Sequence, residues 1–575
     1  MPTVWPKERG VLVEQHGNTS VCEERFEKID HLLTWLYQHG TVLSESIKLV
    51  VDRNGNSKFL ATRFIPCSAI VLQVSSSLDA SYDTLLQEIT PTRKWIDNLK
   101  AKRDHFLSTR NTISRFHIEE TCSNVEFAVV MIGVLQKLRH TKERSVTTCL
   151  FEKYMQSLPD EIESFMFTWP DEDMYVLSKT SFYKNCNDSM AQLTMDLFKE
   201  VVQPFTQQWP QIFKETIDFS LFVRILSIIQ SRGFVGDKFH PIIDLMNGLP
   251  AQLHNCATYS TVLDTQRVQI AQTTRDIQMN EEILLSYAQK GNGKYLLTYG
   301  HLPLHREIIL NNPSSTIYMN FGHFIHTELL KAYPGSASIR SQVSTFIRDT
   351  VRIPALMGLQ LDSILSDLRY IETLKVCLSI LLVDEKCWAR QDAAEVEAAR
   401  TSRPDAVVRL FVKFMEQNIT VISLATLREV LHHCRRVRLS GDGASYPPEE
   451  HRRVNHTLSS VLLYISEMRM VDIMCTNMAN SFPPAFLPVA LYLMGHLMYN
   501  DDLTVLLDEH IALEMSESSH VPEVVKSSAC LTCATCGSRS TSCMKCSRCK
   551  TVYYCDSVCQ RRHWPQHRRY CVPKK

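Results

Sequence analysis

The spacing of apolar and polar residues divides the chain into stretches typical of strands and stretches typical of helices. Residues 23–40 place Phe26, Ile29, Leu33 and Leu36 on one helical face before a glycine, and so predict an amphipathic helix. Short runs rich in β-branched and aromatic residues predict strands. The predicted strands are 47–51, 59–62, 70–74, 259–263, 268–273 and 283–287. Between these two groups, from about residue 118 to 230, the pattern is that of longer helices.

The pattern after residue 304 is almost wholly helical and continues to about residue 512. A Gly- and Pro-rich stretch at 440–448 predicts a loop, and the Ser- and Glu-rich stretch 514–529 predicts a linker. The most apolar stretch, 482–499, contains three prolines and is too short to span a bilayer, so we expect a buried core helix there. The order of elements predicts an α+β fold, in which a helical insert splits a β-rich module and an all-α lobe follows.

Composition limits the partners of the chain. Its 575 residues allow three or four domains, and 62 basic residues balance 62 acidic ones. A net charge of zero argues against bulk attraction to nucleic acid or to a membrane. The N-terminus lacks the apolar core of a secretory signal. Ten scattered cysteines and a cysteine-rich tail predict a reducing compartment, the cytosol or the nucleus.

Nine of the nineteen cysteines lie in the last 46 residues, and most have the spacing of metal ligands. Seven thiols and His567 provide the ligand count of two closed four-coordinate zinc sites. A segment this short builds too small an apolar core to fold alone, so a metal would supply folding energy. Cys530 and Cys543 are surplus and each lies three residues from a ligand. A one-step exchange of ligands therefore stays open beside the simpler reading of two unpaired surface thiols.

The spacing of these residues, together with the phrase Gln560-Arg-Arg-His-Trp-Pro-Gln-His567, resembles a MYND-type zinc finger. The resemblance implies interleaved ligands and two bound Zn²⁺ ions. The first site would use Cys533, Cys536, Cys555 and Cys559, and the second Cys546, Cys549, His567 and Cys571. MYND fingers bind acidic or proline-rich partner peptides, and the end of this segment is basic, although such a charge run is usually a solvated face. The basic residues are Arg561, Arg562, Arg568, Arg569, Lys574 and Lys575.

Three separated motifs resemble those of split-SET methyltransferases similar to the Rubisco large-subunit methyltransferase. The opening motif is at 55–66, the second at 244–247, and the closing motif at 280–300. The helical region before residue 480 resembles the substrate-binding lobe of that family. The resemblance implies these boundaries: 20–110, first part of the SET domain with the N-terminal helix; 111–230, helical insert; 231–303, remainder of the SET domain; 304–512, substrate-binding lobe; 513–529, linker; 530–575, zinc finger.

The resemblance implies transfer of a methyl group from S-adenosylmethionine to a protein side chain, most often a lysine amine. Tyr287 would be catalytic, with its phenol beside the transferring methyl group. The cofactor would contact Asn247, Asp244, Gly248, Arg232, Tyr299 and Gly300. Asn255 would pack the knot-like core of the domain. For each position an ordinary structural role is the alternative: a core tyrosine, a loop-capping Asn or Asp, a solvated arginine at a helix end.

Three residues depart from the family pattern. Gly248 stands where the family has a histidine, Ser57 replaces the second glycine of the opening motif, and His301 replaces an aromatic residue. We therefore carry two hypotheses. The first is a protein-lysine methyltransferase whose zinc finger binds partner proteins, and which we expect to be a monomer. The second is a non-catalytic adaptor that uses a degenerate SET scaffold and the finger for protein interaction.

Overall fold

A computed structural model forms two compact units, Met1–Ile511 and Ala512–Lys575. It describes residues 20–51, 56–89, 91–109, 115–159, 168–233, 238–249, 253–263, 266–287, 290–333, 337–345, 356–383, 386, 393–439, 448–498, 502–517, 531–532, 539–540, 544–548, 553–554 and 556–567.

The first unit contains short strands and many helices. Its strands are β1 (Val42–Leu43), β2 (Ile47–Val51), β3 (Ser57–Ala61), β4 (Ile70–Ser75), β5 (Ala80–Ser81), β6 (Lys238–Phe239), β7 (Gly248–Leu249), β8 (Cys256–Leu263), β9 (Gln266–Thr273), β10 (Leu285–Ser286), β11 (Thr316–Asn320) and β12 (Leu356–Gln360). The main sheet has the order β1-β4-β9-β8-β10-β7. Three two-stranded sheets accompany it: β2 with β3, β5 with β6, and β11 with β12.

The helices before the closing motif are α1 (Ser20–Gln38), α2 (Tyr82–Ile89), α3 (Arg93–Thr109), α4 (Arg115–His140), α5 (Val146–Ser157), α6 (Met174–Leu177), α7 (Asp188–Leu197), α8 (Gln203–Gln207) and α9 (Phe219–Arg232). Helix α1 buries Ile29, Leu33 and Leu36, the apolar face predicted from their spacing. Most of the others lie in the predicted insert, between β5 and β6. Their apolar residues join those of the sheet in one continuous core.

The remaining helices of this unit are α10 (Asn292–Tyr299), α11 (Arg306–Asn311), α12 (Phe321–Ala332), α13 (Ala337–Thr345), α14 (Leu361–Ser366), α15 (Arg369–Ser379), α16 (Ala393–Ser402), α17 (Pro404–Asn418), α18 (Leu424–Leu439), α19 (Pro448–Asn480) and α20 (Leu487–Met494); α21 (Asp502–Glu517) extends past its end. The prediction of a mixed α+β fold with a helical C-terminal region is confirmed. No helix among the described residues is long and apolar enough to cross a membrane.

Two features of the C-terminal region differ from the sequence prediction. The antiparallel pair of β11 and β12 lies within the stretch predicted as almost wholly helical. It was missed because 35 residues separate the two strands, which pair only in the folded chain. The apolar stretch 482–499 does form a helix, α20, and one of its faces, with Ala490 and Met494, is buried in the core as predicted. Its other face is not: Val489, Leu491 and Tyr492 are exposed, and hydrophobicity alone does not tell a fully buried helix from one that neighbours cover on one side.

The second unit contains two short hairpins and a helix. The strands β13 (Leu531–Thr532) and β14 (Arg539–Ser540) pair, as do β15 (Met544–Lys545) and β16 (Tyr553–Tyr554). Helix α22 covers Ser557–His567. Tyr554, Cys546 and Cys559 are buried, so a small interior is formed. The helix α21 ends at Glu517, four residues into the stretch predicted as a linker.

Candidate active site

The backbone of the closing motif passes between two other segments of the chain. Strand β10 pairs in parallel with β7 on one side and with β8 on the other. Leu285 N donates to Asn247 O (2.9 Å), and Tyr287 N donates to Leu249 O (3.0 Å). On the other side, Cys256 N donates to Leu284 O (3.0 Å). This crossing brings Tyr287 to the second motif, 40 residues earlier in the chain.

Tyr287 belongs to a group of three tyrosines that we call the tyrosine cluster: Tyr287, Tyr295 and Tyr299. The rings of Tyr287 and Tyr299 stack with centroids 4.5 Å apart, and the ring of Tyr295 lies 4.6 Å from that of Tyr299. The Tyr287 hydroxyl donates to Met246 O (2.8 Å), and the Tyr295 hydroxyl donates to Gly248 O (2.8 Å). Burial raises the pKa of Tyr287 to about 12, so its phenol stays neutral at physiological pH.

Gly248 lets the Tyr287 ring lie directly against the backbone of β7. A Cβ atom at position 248 would come within 2.0 Å of Tyr287 Cδ1 and 2.3 Å of Cε1. Both atoms belong to a rigid ring, which has no flexible end that could move aside. The glycine that departs from the family pattern is therefore required by the position of Tyr287, and a side chain at this position would displace the ring.

Asp244 and Arg232 form the charged part of the site. The Asp244 carboxylate is buried and accepts the hydroxyl of Tyr154, which lies in the helical insert 90 residues earlier. Arg232, at the end of α9, donates from Nη1 to Asp244 O (2.7 Å). Burial raises the pKa of Asp244 to about 6, against the opposing charge of Arg232. Asp244 Oδ1 and Arg232 Nε are both buried without a hydrogen-bond partner in the described parts of the chain.

Backbone strain lies next to these charged groups. Ile242 has φ of 78°, a conformation that β-branched residues rarely adopt. It directly precedes the short 3₁₀ turn Ile243–Leu245, which carries Asp244. Such strain costs about 1–3 kcal/mol and persists only where the surrounding structure holds it. The position of Asp244 is therefore imposed by tertiary contacts.

Asn247 is exposed and links the second motif to the other two. Its Nδ2 donates to Glu282 Oε1 (2.8 Å) and to Ser57 O (3.1 Å). Burial raises the pKa of Glu282, and the Asn247 amide opposes this. Ser57, the second departure from the family pattern, thus takes part through its carbonyl, which any residue would provide.

Asn255 is fully buried, and its hydrogen bonds hold the closing segment in place where it passes beside β8. Its Oδ1 accepts from Leu284 N (2.7 Å), and its Nδ2 donates to Glu282 O (2.7 Å). Its own carbonyl accepts from Thr274 N (2.8 Å). One side chain therefore satisfies a donor and an acceptor on the closing segment and holds this segment against β8.

The end of α10 contains Tyr299, Gly300 and His301. Gly300 has φ of 74° and its N–H donates to Leu296 O (2.8 Å), so it terminates the helix in the left-handed conformation that favours glycine. His301 is exposed and its ring lies edge-on to Tyr295. Tyr299 accepts a hydrogen bond from Lys290 Nζ (3.0 Å), and that ammonium lies 4.7 Å from the centroid of the Tyr299 ring.

The predicted residues of the first unit are thus brought together around Met246 and the tyrosine cluster, with Gly300 acting on the backbone only. Sequence reasoning gave no role to Tyr154, Glu282 or Tyr295. Glu282 and Tyr295 lie inside the closing motif and were detectable there, whereas nothing local connects Tyr154 with Asp244. A cavity of about 460 Å³ elsewhere in this unit is lined by neither Tyr287 nor Asn247.

Most predicted zinc ligands lie outside the described residues: Cys533, Cys536, Cys549, Cys555 and Cys571, together with the side chain of His567. Cys546 and Cys559 are described, and both are buried. They were assigned to different zinc sites. The two clusters of ligands stay a prediction.

Residues 533–571 match the family model of the MYND finger, a segment that begins and ends at predicted ligands. A comparison with curated proteins finds no match. Similar solved structures include "Crystal structure of the SET domain of LSMT bound to Lysine and AdoHcy", at 14% identity and TM-score 0.47, covering 87% of this chain and 98% of that one. Another is "Structure of Rubisco LSMT bound to AdoMet", at 14% identity and TM-score 0.44 with the same coverage. The function proposed below therefore rests on the geometry of the site, and the finger alone is assigned from a family match.

Proposed function

We propose that the chain is an S-adenosylmethionine-dependent protein methyltransferase that acts on lysine. The observation that carries the proposal is the crossing of β10 between β7 and β8. It joins the Tyr287 phenol to a charged group of Asp244 and Arg232, and these residues come from three separate segments. An aromatic wall beside paired charges suits a cationic methyl donor with a zwitterionic end.

Two unpaired polar atoms fit the amino-acid end of that donor. A carboxylate would satisfy the buried Nε of Arg232, because a guanidinium is a strong partner for carboxylates. An ammonium would satisfy the buried Oδ1 of Asp244. Glu282, bonded to Asn247, adds a second carboxyl group nearby. When bound, S-adenosylmethionine supplies a methyl group activated by a sulfonium.

The Tyr287 hydroxyl oxygen is placed to accept contacts from a ligand rather than to donate a hydrogen bond to it. Its proton is given to Met246 O, which fixes the phenol and leaves its oxygen lone pairs for other partners. Those lone pairs would accept weak CH···O contacts from an activated methyl group and orient an incoming amine. Because the phenol remains neutral, it would not trap the amine as a charged pair. Positioning of this kind supplies much of the rate of a displacement.

Lysine is proposed as the acceptor because the aromatic wall already holds an ammonium. Lys290 lies over Tyr299 and donates to its hydroxyl, so an amine on a flexible stem can contact this cluster. A partly desolvated aromatic surface lowers the pKa of a lysine and so favours its neutral, reactive form. Desolvation and cation–π attraction oppose each other, and the more buried the amine, the more desolvation dominates.

The experiment is transfer of labelled methyl groups to proteins of a cell extract. Tyr287→Phe removes only the hydroxyl, and we expect transfer to fall at least about tenfold, or about 1.4 kcal/mol in the barrier. Tyr492→Phe is the matched control, since Tyr492 is 85% exposed, and it should leave the rate unchanged. Equal rates for wild type and Tyr287→Phe would contradict the role of Tyr287. If the wild type transferred no methyl group to any protein, the proposal that the chain is a methyltransferase would be contradicted.

For the finger, we propose two bound Zn²⁺ ions and a partner peptide, in the cytosol or the nucleus where thiols stay reduced. Elemental analysis of the full chain should find two zinc ions. Cys546→Ser and Cys559→Ser should each lower the count by one, because they remove ligands from different sites. Cys67→Ser, which changes an exposed thiol, should leave it at two. One zinc ion per wild-type chain would contradict the paired sites.

A further inference from the structure

Tyr154 belongs to helix α5 of the insert, yet its hydroxyl group lies at the candidate site. The side chain is fully buried, and the hydroxyl donates to Asp244 Oδ2. Helix α5 begins at a capping box, in which the side chains of Ser145 and Thr148 each accept a hydrogen bond from the backbone N–H of the other. The Tyr154 ring also packs against Phe239, with centroids 5.4 Å apart. The insert therefore places this hydroxyl at a defined position.

The Asp244 side chain takes its orientation from Tyr154. The backbone of Asp244 is held separately, because its N–H donates to His240 O (3.2 Å) and its carbonyl accepts from Arg232 Nη1 (2.7 Å). These backbone bonds do not set the rotation of the carboxylate. The bond from Tyr154 does, since it engages Oδ2 and makes Oδ1 the oxygen that can take a ligand.

The Tyr154 hydroxyl also influences the charge of Asp244. Burial raises the pKa of Asp244 to about 6, against the charge of Arg232 and the hydrogen bond from Tyr154. A hydroxyl donor favours the charged carboxylate, so its removal would raise the pKa of Asp244 further. The other charged and titratable groups that act on the Tyr154–Asp244 pair are Arg25 of α1, His240 beside β6 with its partner Asp79, and Tyr287 of the closing segment.

We propose that Tyr154 is a positioning residue of the methyl-donor site. It holds Asp244 as a charged carboxylate and turns Oδ1 toward the place of the donor's ammonium group. This role rests on the function proposed above, because the ammonium group is that of S-adenosylmethionine. It also gives the helical insert a part in the site, since α5 supplies a group that acts on a residue 90 positions later in the chain.

Urea unfolding of the full chain at several pH values tests the pairing without any cofactor. The stability of the wild type should decline as the pH rises from about 4 to about 6, where the folded chain loses the Asp244 proton. In Tyr154→Phe, which keeps the ring, we expect the decline to extend at least about half a pH unit higher. In an Asp244→Asn background, Tyr154→Phe should leave the shape of the curve unchanged, because the titrating group is gone.

Tyr464→Phe is the matched control for the loss of a buried hydroxyl. Tyr464 is 1% exposed, and its hydroxyl accepts from Ile422 N (2.7 Å) in the helical lobe. We expect this variant to lose a similar amount of stability at every pH and to keep the pH range of the wild-type decline. An equal shift of that range in Tyr464→Phe would overturn the proposal, because the shift would then report a general loosening of the fold.

Calorimetric titration with S-adenosylmethionine provides the second readout. At pH 7, Tyr154→Phe should bind at least about tenfold more weakly than the wild type, and Tyr464→Phe should bind as the wild type does. The ratio of the Tyr154→Phe and wild-type dissociation constants should narrow at pH 8, where more of Asp244 is charged. This ratio cancels any titration of the cofactor itself.

The two readouts separate this proposal from the function on which it rests. If the wild type bound no S-adenosylmethionine, the proposed function would be overturned, and this role of Tyr154 with it. If the wild type bound it, the role of Tyr154 alone would be overturned by either of two results for Tyr154→Phe: a wild-type pH range in urea, or a wild-type affinity for the cofactor.

Discussion

The tyrosine cluster and the cavity of about 460 Å³ between the start of α10 and the paired strands β11 and β12 both include Lys290 but are built in opposite ways. In the cluster, rings stack at 4.5 Å and the Tyr287 and Tyr295 hydroxyls donate to backbone carbonyls. In the cavity, residues of ordinary polar and apolar type, among them Ser314, Thr316 and Gln360, surround open space. The first region is held by packing and can tolerate little change, whereas the second keeps open space.

This difference shows what sequence motifs do and do not locate. Motifs identified the residues at which distant segments cross, because the crossing itself demands particular residues. They did not identify where space remains, since the cavity is lined by residues of ordinary type at ordinary spacing. The comparison predicts that equivalent substitutions will be costly in the first region and nearly neutral on the side of the cavity formed by β11 and β12.

The largest expected effect is that of Asn255→Ala. Loss of this buried side chain leaves Leu284 N and Glu282 O without partners, at about 1–3 kcal/mol each, so we expect roughly 2–6 kcal/mol lower stability. Gln360→Ala, an exposed amide in the cavity wall, should cost under about 0.5 kcal/mol. Urea unfolding measures both, and similar losses would remove the contrast between the regions.

A pH effect of comparable size should come from Asp244. Burial raises its pKa from 3.8 to about 6, so the folded state binds the proton more tightly than the unfolded state. This raised pKa contributes about 3 kcal/mol to the stability of the folded state below about pH 4, and the contribution is lost as the pH rises through 6. Asp244→Asn should therefore remove a decline in stability between pH 4 and 6.

Urea unfolding at several pH values checks this, with Asp362→Asn as the control on an exposed carboxylate next to the cavity wall. We expect the control to follow the wild-type curve. A curve for Asp244→Asn parallel to that of the wild type would show that Asp244 is not protonated in the folded state at these pH values.

A smaller effect is expected from Gly248→Ala. The new methyl group would collide with the Tyr287 ring, and such overpacking costs about 1–3 kcal/mol. Gly358→Ala in the cavity wall meets its nearest atom, Thr316 Cγ2, at 3.2 Å and should cost under about 1 kcal/mol. In a Tyr287→Ala background the cost of Gly248→Ala should fall, because the ring is gone. If Gly248→Ala cost as much stability in the Tyr287→Ala background, the new methyl group would have to collide with an atom outside the Tyr287 ring.

Much of the fold was predictable because local pattern and tertiary environment agree. The strands β2, β4, β8 and β9 alternate or cluster apolar residues as half-buried strands do, and α1 has a regular apolar face. The antiparallel pair of β11 and β12 was missed because its partner strands are far apart in the chain. The exposure of α20 was missed because composition does not report which faces neighbours cover.

The residues of the candidate site could be named from the sequence, whereas the contacts between them could not. The motifs named Tyr287, Asn247 and Asp244, which the structure brings together. The pairing of Tyr154 with Asp244 crosses 90 residues and leaves no local signal. The requirement for Gly248 is likewise a property of the folded Tyr287 ring, so from sequence it resembled a weakness of the site.

Calorimetric titration of the full chain with S-adenosylmethionine tests the central claim most directly. The charged group beside Tyr287 predicts one binding event, weakened at least about tenfold by Arg232→Gln and by Asn247→Ala, the latter changing an exposed side chain. Arg369→Gln, an exposed guanidinium elsewhere, should bind as the wild type does. Absence of binding at high micromolar cofactor, or equal affinity in all four proteins, would contradict the proposed methyl-donor site.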